Sequence, residues 1–267
     1  MDELQGLHLI NTEGYCHGTI ERNFYNPNRQ KYIIHFKQED GSYKTIDMQT
    51  KEFNRYSSYA KLKSDRYDII KERHINHIYH FSPIENTDSI LEYGLLSREY
   101  SKKMNISNVI TDPERLDGQL NKISASISYP NCKMKYRLEV NEGYRFVIYD
   151  INPRLLLSKL DIQFYYTNAA CGIFNNINRR TLTTNEAFLN MFDEEYREPN
   201  LDISYTTDPQ AEILVDTEIP KRFIEEVHTK FMNPEIKTLC LEKGYGYHPN
   251  YDIYMGRSDY MRWKNGN

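Results

Sequence analysis

Strand-like and helix-like segments mix irregularly along this chain, and that irregularity limits its architecture more than any other feature. Short, aromatic, β-branched stretches fall at residues 15–20, 31–37, 43–48, 78–82, 123–128, 145–151, 160–166 and 211–216. Turn signals or single short helices separate them, instead of the regular βαβ repeat of a doubly wound sheet. The pattern predicts an α+β fold. Neither G-x-G-x-x-G nor G-x-x-x-x-G-K-[ST] occurs, so Rossmann and P-loop readings fall away.

Three zones follow from the punctuation. Residues 1–57 read as a small β module, barrel-like, with turns at Asn26-Pro27-Asn28 and Glu39-Asp40-Gly41-Ser42. The second of these sits between two strand patterns and predicts a hairpin. Residues 58–74 read as a polar, partly helical connector, because Tyr59, Leu62, Tyr67, Ile69 and Ile70 form only an irregular stripe. The main domain spans 75–267. In it Asn86 or Thr87 caps a helix that buries Ile90 and Leu91, and Gly94 ends that helix in the left-handed αL position. A further helix is expected over 184–192.

Composition removes several function classes. With 34 Lys+Arg against 38 Asp+Glu the formal charge is −4, which argues against coating duplex nucleic acid by bulk charge and leaves a local basic cleft open. No apolar run approaches the ~18 residues needed to cross a bilayer. The start, Met1-Asp2-Glu3-Leu4, lacks a basic and apolar leader, so a cytoplasmic location without membrane contact is expected. Cys16, Cys132, Cys171 and Cys240 are far apart and form no C-x-x-C, which fits reduced thiols better than a zinc ribbon. The 23 tyrosines against a single tryptophan fit either an AT-rich coding bias or base-stacking platforms, and composition does not choose.

Four segments carry residues suited to chemistry. In Tyr79-His80-Phe81-Ser82, His80 and Ser82 lie two apart on a strand and project the same way, able to bond a ribose or carboxamide, or to fill a core. The loop Thr111 to Gly118 is acidic with one arginine, Arg115. The stretch from Ile123 to Tyr136 runs strand into turn. In Gln210-Ala211-Glu212-Ile213-Leu214-Val215, Glu212 heads a strong apolar strand, either as an edge carboxylate facing water or as an inward one. His74, His77 and His80 have H-x-x-H-x-x-H spacing, but strand alternation puts His77 and His80 on opposite faces, so no metal site is expected there.

In this order and wording the segments resemble the DarT family of NAD-dependent DNA ADP-ribosyltransferase toxins. The resemblance covers about residues 75–230 and rests on Tyr79-His80-Phe81-Ser82, on Ile90 to Arg98 with Gly94-Leu95-Leu96, on Arg115, on Pro130-Asn131-Cys132-Lys133-Met134-Lys135-Tyr136, and on Gln210 to Val215. Phe81-Ser82 stands where the family more often has Ile-Thr, keeping a hydroxyl.

The resemblance implies an ADP-ribosyltransferase-like (PARP/ART-type) mixed β core, with NAD as ADP-ribose donor and no metal. It implies that Glu212 stabilises an oxocarbenium-like ribose and takes a proton from the acceptor base, and that Arg115 orients that base. His80, Ser82, Gly94 and Leu95 would bind NAD. Tyr129, Lys133, Lys135 and Tyr136 would touch the acceptor, with Lys102, Lys103, Lys122 and Arg137 completing a local basic groove. An extruded or unpaired base favours single-stranded DNA, with RNA as the alternative. The implied partner is an antitoxin, a macrodomain in the family, and the implied role lies in a toxin–antitoxin or phage-defence system. Transfer to protein and a non-catalytic nucleic-acid-binding module remain as rivals.

Overall fold

The computed structural model describes residues 4–111, 117–257 and 259. They divide into two compact units, the described residues up to 73 with 154–159, and the described residues from 74 to 153 and from 160 onward.

The first unit is an antiparallel meander of β1 (His8–Ile10), β2 (Cys16–Asn26), β3 (Lys31–Lys37) and β4 (Tyr43–Gln49), followed by helix α1 (Thr50–Glu72). The hairpin expected around Asp40-Gly41 forms, with Gln38 N–H donating to the Ser42 carbonyl at 2.8 Å and Lys37 opposite Tyr43. The strands run in sequence order with β1 and β4 as edges, so this is an open sheet and not the barrel-like module expected. Ile20, Ile34, Phe36 and Met48 from the sheet pack against Phe53, Tyr56 and Ala60 of α1.

That helix occupies the zone read as a connector. Its buried stripe continues through polar residues, Lys63, Ser64 and Arg66, which a hydrophobic pattern does not register. All three are hydrogen-bonded. Ser64 Oγ accepts from the His8 N–H at 3.0 Å, and Lys63 and Arg66 donate to the Leu156 carbonyl at 3.2 and 3.1 Å.

The second unit is built on seven strands. They are β5 (Ile78–Pro83), β7 (Lys122–Ile127), β8 (Phe146–Ile151), β9 (Ile162–Tyr165), β10 (Glu212–Asp216), β12 (Ile224–Thr229) and β13 (Gly246–Pro249). Across the sheet they stand in the order β13-β12-β8-β5-β7-β10-β9. All neighbours are antiparallel except β12 and β13. Short helices α2 (Thr87–Tyr93), α3 (Arg98–Lys103), α4 (Cys132–Glu142), α5 (Asn185–Asn190) and α6 (Pro234–Lys243) lie between strands, and a two-stranded ribbon joins β6 (Leu95–Leu96) to β11 (Glu218–Ile219). No helix among the described residues is long and apolar enough to cross a membrane.

The sheet splits at its centre. β5 and β7 pair only through Ile78 with Ile127 and Tyr79 with Ser126. Beyond that point β5 stays with β8 as far as Pro83, opposite Phe146, while β7 stays with β10 as far as Lys122, opposite Asp216. The two strands therefore diverge toward Ser82 and Ser124.

Two local readings are corrected. The segment after Pro130 is not a turn but the start of α4, because the Asn131 side chain caps it by accepting from Met134 N–H at 3.1 Å. Gly94 does end α2 with positive φ, but at φ 88° and ψ −176°, outside the αL region. The reason is the β6–β11 ribbon: a Cβ at Gly94 would stand 2.6 Å from the Ile219 carbonyl oxygen. Gly94→Ala is therefore expected to cost about 1–3 kcal/mol in strain, read as a lowered Tm and denaturant midpoint.

Candidate active site

The divergence of β5 and β7 opens a cleft of about 490 Å³, inside the range of small-molecule sites. His80, Ser82 and Asn86 line one side, Ser124 the other, and Leu95 and Arg98 lie along it.

A polar bridge crosses the split. His80 Nδ1 lies 2.7 Å from the Ser124 carbonyl oxygen. A carbonyl only accepts, so Nδ1 carries the proton. Ser124 then donates its hydroxyl to Oε2 of Glu212. The other carboxylate oxygen, Oε1, accepts the Ala169 N–H at 2.6 Å. That amide is presented by a loop in which Asn168 Oδ1 accepts from Ala170 N–H at 2.8 Å. Glu212 is thus turned inward, 8% exposed, with both oxygens fixed. The edge alternative is excluded by β9: Glu212 pairs with Tyr165, which places β10 inside the sheet.

Asn86 secures the wall. Its Nδ2 donates to Ser82 Oγ and to the Val109 carbonyl, both at 3.0 Å, and its Oδ1 accepts the Val109 N–H at 2.7 Å. Ser89 Oγ donates to Asn108 Oδ1 at 2.9 Å, and Asn108 Nδ2 to Ser101 Oγ at 3.2 Å. Residues 106–111, which line the cleft, are held against α2 and α3 by these bonds.

The residues expected from sequence fare unequally. His80 and Ser82 line the cleft with Leu95, while Gly94 acts through the backbone turn that delivers Leu95. Arg115 lies outside the described residues. Of the arginines that are described, Arg98 lines the cleft, and Arg179 bonds the Tyr165 hydroxyl at 3.2 Å, one strand from Glu212.

The expected acceptor residues do not act together. Lys135 is 1% exposed and donates to Glu139 and to the Tyr254 carbonyl, both at 3.0 Å. Burial pushes its ammonium below its ordinary range despite Glu139. Lys135 is therefore a packing cation, not a phosphate contact. Lys122 is likewise buried, 3.2 Å from Asp161. Tyr129 spends its hydroxyl on the Asp252 and Met255 carbonyls at 2.7 and 3.0 Å. Lys133 and Tyr136 stay exposed on α4. Ser124 and Asn86 are the site residues that sequence reading missed. Ser124 lay inside a quoted segment, and Asn86 was read as a helix cap.

A sheet split at its centre, with a buried carboxylate tied to one lip and a histidine on the other, is compatible with the ADP-ribosyltransferase-like core that the resemblance implies. The family model described as DarT, ssDNA thymidine ADP-ribosyltransferase, matches residues 79–255, more than half of the chain and beyond the region legible from sequence. The chain belongs to the DarT family.

Among solved structures, Thermosipho africanus DarTG in complex with ADP-ribose is 19% identical with a TM-score of 0.50, over 67% of this chain and 51% of that one. The match thus spans about half the length of that relative. Thermus sp. 2.9 DarT in complex with NAD+ gives 13% identity and a TM-score of 0.43, over 67% of this chain and 98% of that one. The same protein in complex with ADP-ribosylated ssDNA gives 16% and 0.44, over 68% and 97%. No curated protein matches the chain.

The Asn86 bonds define a test. Asn86→Ala removes three of them at once, and each lost bond to a buried group costs about 1–3 kcal/mol. We expect faster hydrogen exchange at Val109 and proteolytic nicking within residues 106–111. Unchanged exchange there would show that the loop is held by other means.

Proposed function

We propose that this chain transfers ADP-ribose from NAD to a thymidine base of single-stranded DNA. The observation that carries the reading is the inward carboxylate of Glu212, joined through Ser124 to His80 across the split. The family description supplies the substrate class. The cleft suits NAD in size and in its polar lining, and we assign His80 and Ser82 to the nicotinamide end and Leu95 to the same NAD site.

Glu212 supplies the negative charge next to the ribose carbon as the bond to nicotinamide breaks, the electron pair leaving with nicotinamide. Its oxygens also suit the ribose 2′-hydroxyl. The base then bonds to that carbon and gives its proton to Glu212. Ser124 and the Ala169 amide hold the carboxylate in one orientation, so little reorganisation is needed at the moment of reaction. Arg115 is assigned to orienting the base by the family resemblance alone.

We extend the reading to a toxin role, with a macrodomain antitoxin that removes the mark. It rests on the family resemblance and on the need to neutralise an enzyme that modifies its own cell's DNA. Of the basic groove drawn from sequence, Lys122 and Lys135 are withdrawn by burial. The acceptor strand is left with the exposed cations, Lys133 among them.

Glu212→Gln is expected to abolish transfer while NAD binding stays within about tenfold, ~1.4 kcal/mol. Full transfer by this variant would refute the assignment. With labelled NAD offered single-stranded DNA, RNA and protein together, label should appear on DNA, and nucleoside mass spectrometry should place it on thymidine. Label confined to RNA or to protein would defeat the DNA reading, and absence of NAD consumption would favour the binding-only rival.

A further inference from the structure

We propose that Asp150, Glu226 and His228 bind a divalent transition-metal ion of the zinc class, on the sheet face opposite His80. The face follows from register: Asp150 pairs with Tyr79 and shares its side, while His80, one residue on, points the other way. The three donor atoms all lie within 4.8 Å of one another.

The state of His228 is what calls for an ion. Its Nδ1 lies 3.2 Å from the His248 carbonyl oxygen, which can only accept, so Nδ1 holds the proton. In the neutral ring Nε2 then presents a lone pair, and it faces Asp150 Oδ2 at 4.0 Å and Glu226 Oε2 at 3.8 Å. Among the described residues, no hydrogen-bond donor reaches this atom, and none reaches Asp150 Oδ1. His228 is 4% and Asp150 3% exposed, so solvent does not make up the loss.

A proton on Nε2 would not repair the contact, since 3.8–4.0 Å exceeds hydrogen-bond reach. A metal ion would. With bonds of about 2.0–2.2 Å, ligand atoms stand roughly 3–4 Å apart around it.

The surroundings orient the ligands as metal sites require. His77 Nδ1 lies 2.7 Å from Asp150 Oδ2, and His248 Nε2 lies 3.5 Å from Glu226 Oε1. The Glu226 and His248 side chains are 42% and 62% exposed, which provides an entry path. Imidazole with carboxylates suits zinc-class ions, and the buried imidazole disfavours Mg²⁺.

The test uses untagged full-length protein, stripped with chelator, dialysed, and titrated with ZnCl₂ by calorimetry, with metal content measured by mass spectrometry. About one equivalent should bind and raise Tm, and excess Mg²⁺ should not compete. Glu226→Gln should weaken binding at least about tenfold, and His228→Gln likewise. Because Glu226 is part-exposed, its variant decides the matter even if the His228 variant does not fold. Failure of wild type to bind one equivalent, or unchanged affinity in Glu226→Gln, would overturn the proposal.

Discussion

Two rungs of pairing between β5 and β7 set the form of the second unit. Where they end, each strand keeps its outer neighbour and loses its inner one. Backbone groups on the two lips then need other partners. His80 supplies one, its imidazole taking the place of a strand at the Ser124 carbonyl. A cleft lined this way already carries donors and acceptors on both sides, which is what a polar dinucleotide needs and a closed sheet does not have.

Ser124 gives that split its chemical use. Its carbonyl serves the histidine and its hydroxyl serves Glu212, so one residue ties the two lips to the carboxylate. The far oxygen of Glu212 is held by a backbone amide, which offers no side chain to titrate or swing away. Asn86 does the equivalent for the wall, satisfying both the N–H and the carbonyl of Val109 with one amide group. The geometry is therefore fixed by strands and by short polar clips, with the loop as the secured party.

Sequence patterns made the strands legible, since 31–37 and the segments around 78–82 and 211–216 lie where β propensity and turns placed them. The helices were harder. In α1 the buried stripe passes through Lys63, Ser64 and Arg66, and in α4 it includes Lys135, each buried for a hydrogen bond that hydropathy does not see. The same blindness put Lys135 into a phosphate groove. Glu212 and His80 could be singled out because the segments around them, taken together, resemble the family; alone, Glu212 reads equally well as an edge carboxylate and His80 as a core residue. The link between them could not, because it needs the register of β7 against β10, elements 88 residues apart at the Ser124–Glu212 bond. Ser124 carries no local signal, and Asn86 stands at the N-cap of α2 as expected, but its side chain bonds Ser82 and Val109 instead of the helix, which a cap signal does not tell.

The alternation of a strand also explains how one unit can hold two kinds of polar site. On β5 His80 turns to the cleft, while His77, just before the strand, turns with Tyr79 toward Asp150. The H-x-x-H spacing thus divides its histidines between the faces instead of joining them. The residues that do converge with Asp150 come from β12, next to β8, where Glu226 and His228 stand two apart and share a side. An ion held there would tie β8 to β12, and β8 is the strand on which β5 lies when it parts from β7. The cleft needs β5 to be anchored on that outer side, since its inner side is open. A cross-link behind β8 is placed where it would stiffen the lip carrying His80 without entering the cleft.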